Sequence, residues 1–326
     1  MIDRVDYFGK LFATNYCELG LEVEYVRGYA SPIGNTYLYN LKYISDYNKR
    51  YISSLLEKIA VFHHAYLKLI DTKEAHFGIL DTTYKQDKIS LARYINGRDI
   101  TIGIDNFGNE VHLDFDKIPH LLIAGTTGSG KSVLLNNIIC NIIAHFGKNR
   151  FKIPQFLLID PKGTELNHFR QVRKTTFVDN TKEAIRVLNR AVEVMEERYR
   201  KPNLKYTELF IIIDELADLM LTSKFEVEES IVRLAQKGRA CGIHLIVATQ
   251  RPSCDIVSGL IKANMPYRLS LKTASVRDSV VILDRKGGEE LDVGECIFKN
   301  GVQWTRLKIA YPENELIAKV IDVNRG

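Results

Sequence analysis

Residues 125–132 read Gly-Thr-Thr-Gly-Ser-Gly-Lys-Ser, a spacing of glycines, one lysine and hydroxyls that can grip a polyphosphate. It fits G-x-x-x-x-G-K-[ST], the phosphate-binding loop of nucleotide hydrolases. Gly125, Gly128 and Gly130 let the backbone approach an anion that a Cβ would hold away. Thr126, Thr127, Ser129 and Val133 complete the stretch that would hold the nucleotide. Lys131 can reach the β- and γ-phosphates, and the Ser132 hydroxyl can ligate Mg²⁺. The expected ligands are therefore ATP and Mg²⁺.

Eighty-three residues beyond Lys131, the run Leu209-Phe-Ile-Ile-Ile-Asp-Glu215 ends an apolar strand on two acids. Such a pair suits a nucleotide hydrolase, with Asp214 in the Mg²⁺ shell and Glu215 orienting the attacking water. The next apolar run closes on Thr249-Gln250. An amide there either senses the γ-phosphate or bonds a turn. Lys237-Gly-Arg-Ala240 ends the helix before it. Arg239 is either a cation complementing the helix dipole or a finger reaching a neighbour's nucleotide, and the residues alone divide these evenly. Asp160-Pro-Lys-Gly163 follows another strand; Asp160 and Lys162 either face the nucleotide or pair with each other.

These residues need a scaffold. Pro119–Ala124 reads as a buried strand and Ser132–Ile143 as the helix after it, so the loop falls at a helix N-terminus. There, N–H groups and the helix dipole favour negative charge. From about Ile95 onward, strands alternate with helices of ten or more residues, the pattern of a mostly parallel sheet covered on both faces. A long helix is expected over Thr181–Arg200 with Thr181 as its cap, and another near Val227–Gly238. Residues 21–94 read as a small α+β unit. It has strands near Leu21–Arg27, Thr36–Tyr43, Ala65–Ile70 and His76–Leu80, and a helix over Asp46–Phe62. Its tyrosines read as half-buried strand surface. Residues 1–20 show no clear period and read as a loosely anchored arm. The expected organisation is an arm (1–20), an α+β domain (21–94) and an α/β domain (95–326).

Composition bounds the rest. Of 326 residues, 45% are apolar and 26% charged, as in ordinary globular chains. The net charge of +5 permits nucleic-acid binding without establishing it. Five scattered cysteines lack metal-binding spacing and fit reduced thiols. No apolar run approaches the roughly 18 residues that span a bilayer, and early acids argue against a secretory leader. A cytoplasmic protein is the expectation.

Several runs together resemble the FtsK/SpoIIIE family of DNA translocases. They are Pro119–Val133, Leu158–Leu166, Arg233–Ser253 and Gly259–Pro266, followed by Asp278-Ser279, Ile282–Asp284 and Gly287–Leu291. The resemblance covers about residues 95–311. It implies a RecA-like phosphate-loop fold and a hexameric ring that pumps double-stranded DNA with ATP. It also favours Gln250 as the γ-phosphate sensor and Arg239 as a finger acting across the subunit boundary. Arg251 and Lys262 match positions that face DNA, and Arg277 lies beside a position expected to be basic.

The family's cell-division members carry a membrane anchor and a C-terminal winged helix. Only about fifteen residues follow Tyr311, so a compact motor for plasmid, phage or conjugative DNA is expected, served by a membrane-bound or DNA-processing partner. Two alternatives stand beside it: a protein-moving ATPase of the type VII secretion kind, and a module holding ATP as a structural ligand.

Overall fold

The computed structural model describes residues 4–325 except 44–47, 71, 73, 84, 86–87, 148–152 and 203. Contacts divide the chain into two compact units, Met1–Ile89 with Ile104–Glu110, and Ser90–Gly103 with Val111–Gly326.

In the first unit, helix α1 (Arg4–Glu18) precedes strands β1 (Val23–Ser31) and β2 (Gly34–Leu41). Helix α2 (Lys49–Phe62) and strands β3 (Leu67–Ile70) and β4 (Phe77–Asp81) follow. The four strands form an antiparallel sheet in the order β1-β2-β4-β3. The expected arm at residues 1–20 is therefore corrected from Arg4 onward. Phe8, Phe12 and Tyr16 recur every four residues, and Phe12 and Tyr16 enter the core with Tyr37, Tyr39, Leu55 and Phe77. Gly9, a poor helix former, hides the period; it is needed because the Tyr25 ring occupies the space a side chain would fill. Tyr16, Tyr37 and Tyr39 are fully buried core residues rather than half-buried strand surface. Asn48 caps α2, accepting from the Arg50 and Tyr51 amides; Asp46, the expected start, lies outside the described residues. Residues 104–110 join this unit through Thr36, whose hydroxyl donates to the Asn106 carbonyl at 3.0 Å, and through Phe107 edge-on to Tyr29.

The large sheet begins with β5 (Ile89–Ser90), β6 (Ile100–Asp105) and β7 (Glu110–Leu113). Next come β8 (His120–Ala124), helix α3 (Lys131–Gly147), β9 (Gln155–Ile159), β10 (Thr175–Val178), helix α4 (Thr181–Tyr199) and β11 (Leu209–Ile213). Helix α5 (Leu216–Lys237), β12 (Ile243–Thr249), helix α6 (Gly259–Asn264), β13 (Arg268–Ser270) and helix α7 (Val276–Leu283) follow. The hairpin β14 (Glu295–Asn300) and β15 (Gln303–Tyr311) and helix α8 (Asn314–Val323) complete the chain. Strand order is β10-β9-β11-β12-β8-β13-β14-β15-β6-β7, with β5 on β15. The stretch from β10 to β13 is parallel throughout.

Buried strands alternate between faces. Leu122, Ile159, Ile211, Ile213 and Val247 join α4 and α5 in one apolar cluster. Their chain neighbours Leu121, Ile123, Leu158, Ile212 and Ile246 are equally buried and point to the opposite face. There α3 is pinned by Asn137, whose side-chain amide donates to the Ala310 carbonyl at 2.7 Å. Two helix boundaries differ from expectation. Asn180, not Thr181, caps α4, accepting from the Glu183 amide at 2.8 Å. Helix α5 starts eleven residues before Val227, because Glu215 caps it and the polar stretch Thr222-Ser-Lys224 conceals its first half. The two halves meet at Ser223, which is extended at φ −152°, ψ 78°.

Candidate active site

In open parallel sheets, ligands bind beyond the carboxyl ends of the strands. Strands β8, β11 and β12 all deliver functional side chains to that edge. The loop after β8 turns at Gly128 and Gly130, whose φ values of +77° and +106° lie where L-residues are strained. Gly125 is required for a different reason: a Cβ there would sit 2.6 Å from Ser129 Oγ and 2.7 Å from Leu271 Cβ. Neighbouring strands fix the loop from outside the motif. The Lys272 carbonyl accepts from the Thr126 amide at 2.9 Å and from its hydroxyl at 3.2 Å. The Ser129 carbonyl accepts from the Gly294 amide at 3.0 Å. These two anchors, from the turn after β13 and the start of β14, have no signature in the sequence, because backbone carbonyls and amides carry no residue type.

Lys131 starts α3 with its ammonium buried, donating to Asp214 Oδ1 at 2.5 Å and to the Asp214 carbonyl at 2.6 Å. Burial pushes the Asp214 carboxyl up from the ordinary range, and the Lys131 ammonium offsets only part of that rise. Asp160 adds a further like charge that raises it. The buried pair thus sets a carboxylate and an ammonium against each other beside the loop. Ser132 lies half-buried in the same first turn of α3. The Ser129 hydroxyl is buried inside the cradle with no hydrogen-bond partner among the described residues. Together with the glycine turns, these groups fit an ATP phosphate chain held by residues 125–133 and Mg²⁺ held by Ser132 and Asp214.

Strand β12 lies between the loop strand and the carboxylate strand, so its end falls beside Glu215. Glu215 Oε1 accepts from the Thr249 hydroxyl at 2.7 Å and from the Ala217 amide at 3.2 Å. Its Oε2 accepts from the Gln250 amide at 3.0 Å. The Gln250 side chain in turn accepts from the Thr127 hydroxyl at 2.6 Å. The Gln250 side chain is thus bonded to the phosphate loop itself.

The remaining sequence candidates lie elsewhere. Arg239 is exposed, in a tight turn after α5. Its neighbour Gly238 packs on His120, with the Cβ position 3.1 Å from the ring. His120 is the first residue of β8, so Arg239 lies at the opposite edge of the sheet from the loop that follows Ala124. That separation is roughly 16 Å for five strand residues. Arg251 is exposed directly after Gln250, and Arg277 is exposed in the first turn of α7. Lys262 is half-buried and pairs with Asp284 at 2.8 Å. Arg268 and Lys299 contact the same carboxylate. Burial would raise the Asp284 pKa, but Lys262, Lys299 and Arg268 outweigh it and hold the carboxyl well below the usual range. Asp160 and Lys162 do not pair with each other among the described contacts. The Asp160 carboxylate accepts from the Gly163, Glu165 and Leu166 amides of its own loop. Lys162 lies 3.8 Å from Asp218.

The profile of the FtsK/SpoIIIE family matches residues 96–204 and 201–254. A DNA translocase FtsK from Leptospira interrogans is 39% identical over 254 residues, which are 69% of this chain and 26% of that protein. The chain thus spans about a quarter of that relative's length. Among solved structures, the pCW3 conjugation coupling protein TcpA, a monomer form with ATPγS, shares the fold with a TM-score of 0.68 at 18% identity. That likeness covers 98% of this chain and 100% of TcpA. The cytoplasmic domain of the Thermomonospora curvata type VII secretion ATPase EccC gives a TM-score of 0.58 at 26% identity, over 69% of this chain and 31% of that one. A RecA-like phosphate-loop fold, a lysine–carboxylate site at its sheet edge and these matches lead to one assignment: the chain belongs to the FtsK/SpoIIIE family.

Proposed function

We propose that this chain is an ATP-hydrolysing motor that moves double-stranded DNA as a ring of identical subunits, a hexamer by analogy with its family. The observation that carries the hydrolytic part is the Glu215 carboxylate. It is fixed by Thr249 and Gln250 beside the Lys131–Asp214 pair, where it can orient water and accept its proton. Mg²⁺ held by Ser132 and Asp214 would supply charge neutralisation at the phosphates. Identity of 39% to a DNA translocase supports DNA as the substrate. Arg239 supports the ring. An exposed arginine at the far sheet edge is out of reach of its own loop and is available to a neighbour's. Arg251 and Arg277 are the exposed cations proposed to contact DNA phosphates, and Lys262, paired with Asp284, is a third candidate.

The test is ATPase activity with and without duplex DNA, alongside particle size with and without nucleotide. Stimulation by duplex DNA of any sequence, lost between about 50 and 200 mM salt as released counterions demand, is expected from an assembled ring. A correctly assembled ring indifferent to duplex DNA at low salt overturns the reading. The likeness to EccC at 26% identity favours a second reading, a motor acting on protein. Stimulation by a peptide and not by DNA would select it.

A further inference from the structure

Thr249 is fully buried at the end of β12, and its hydroxyl is used twice. As a donor it bonds Glu215 Oε1 at 2.7 Å. As an acceptor it takes the Arg251 amide at 3.1 Å. A hydroxyl has one proton to give, so in this arrangement the proton is committed to the carboxylate and the lone pairs to Arg251. The same hydroxyl therefore touches the group read as orienting water and the peptide of the exposed arginine read as facing DNA.

We propose that Thr249 is a positioning residue that aims the Glu215 carboxylate and couples its geometry to the Arg251 peptide. This rests on the roles assigned above to Glu215 and Arg251. When Arg251 is drawn onto a DNA phosphate, its backbone moves with it. The amide then pulls on the Thr249 hydroxyl, which is the donor that sets the Glu215 rotamer. The Gln250 amide on Oε2 belongs to the same short segment, so both carboxylate oxygens are held by residues 249–250 and respond together. DNA stimulation of hydrolysis follows from this link without any longer path. Thr127, bonded to the Gln250 side chain, ties the same segment to the phosphate loop.

Thr249→Val keeps the volume and β-branch and removes only the hydroxyl. In the full chain, it is expected to lower kcat for ATP by roughly 10- to 100-fold while KM stays within about twofold, because an orienting bond is lost and ground-state binding is not. The ratio of DNA-stimulated to basal rate is expected to fall towards one. Thr249→Ser is expected to restore both. Retention of nucleotide binding, read with a fluorescent ATP analogue, confirms an intact loop; if the valine variant binds none, Thr249→Ala replaces it. Unchanged kcat and stimulation in the variant lacking the hydroxyl overturn the proposal, as does a serine variant equally impaired. A lowered kcat with full DNA stimulation overturns the coupling. A wild-type chain that DNA does not stimulate overturns the proposed function and the coupling with it, while the basal kcat of Thr249→Val still decides whether Thr249 positions Glu215.

Discussion

Lys131 is nine-tenths and more buried, an unusual place for an ammonium, and it is tolerated because two oxygens of Asp214 accept from it. A charge pair is thus held out of water at the end of the phosphate loop, where each electrostatic contact is stronger than in water. Histidines at the other edge of the sheet show the converse. His120 is buried with its Nε2 lacking a partner among the described residues, and its Nδ1 accepts from the Leu245 amide at 3.2 Å. Burial, with a smaller contribution from His244 beside it, pushes its pKa down to about 3. In the unfolded chain it takes up a proton near pH 6.5, and in the folded chain it does not until about pH 3. Stability is therefore retained above pH 6.5 and lost as pH falls through that window, by up to about 1.4 kcal/mol per pH unit. His120→Gln keeps an acceptor without a titrating group. Urea unfolding at pH 7 and pH 5 is expected to show a smaller loss for the variant than for the wild type; equal losses would place the acid sensitivity elsewhere.

At the scale of elements, the site depends on strands that the motifs do not contain. Leu271 and Lys272, continuing from β13, press on the loop from one side, and β12 supplies Thr249 and Gln250 from the other. Gly125 is the point of closest approach. Gly125→Ala forces a Cβ against Leu271 Cβ, which lies too near the backbone to swing away. Overpacking of this kind costs about 1–3 kcal/mol. The expected result is a lowered Tm and nucleotide affinity reduced by an order of magnitude or more, measured by calorimetry and fluorescent-nucleotide titration. Affinity equal to wild type would show that the loop shifts freely. Helix α5 is the other element that matters. Glu215 caps its start, Arg239 lies just past its end, and Ser223 interrupts it midway. One helix thus carries a residue proposed to act on its own nucleotide and one proposed to act on a neighbour's.

The whole molecule, as proposed, is complete only beside another copy. Arg239 sits at the edge of the sheet where β8 and β12 begin, and the phosphate loop sits where they end. A finger supplied in trans is worth orders of magnitude in rate. Arg239→Ala is expected to bind ATP normally and to lose turnover by about 10³-fold or more. Glu215→Gln should likewise bind without turning over. Rings mixed from the two variants contain boundaries where an intact Glu215 faces an intact Arg239, so partial recovery of ATPase is expected. No recovery at any mixing ratio would eliminate action in trans.

Much of this was legible along the chain because phosphate chemistry demands local spacing. The loop, the acids at 214 and 215, and the ends of β8, β11 and β12 are contiguous runs whose backbone and side chains do the work within a few residues. The family and the parallel α/β fold follow from those runs. Features built by contacts between distant segments were not legible. The helix at 4–18 is stabilised by a core that only the folded first unit assembles, and its glycine is explained by a tyrosine sixteen residues away. Residues 104–110 join the first unit through a hydrogen bond and a ring contact that leave no periodicity. Spacing left the partners of Asp160 and Lys162 open, and tertiary structure gives the Asp160 carboxylate the amides of its own loop and sets Lys162 near Asp218. The sequence by itself determined which residues carry the chemistry. Tertiary structure alone decided that β12 lies between the loop and the carboxylates, which is why Thr249 meets Glu215, and that Arg239 lies at the far edge of the sheet. Strand order is set by packing between segments far apart in the chain, and no local spacing encodes it.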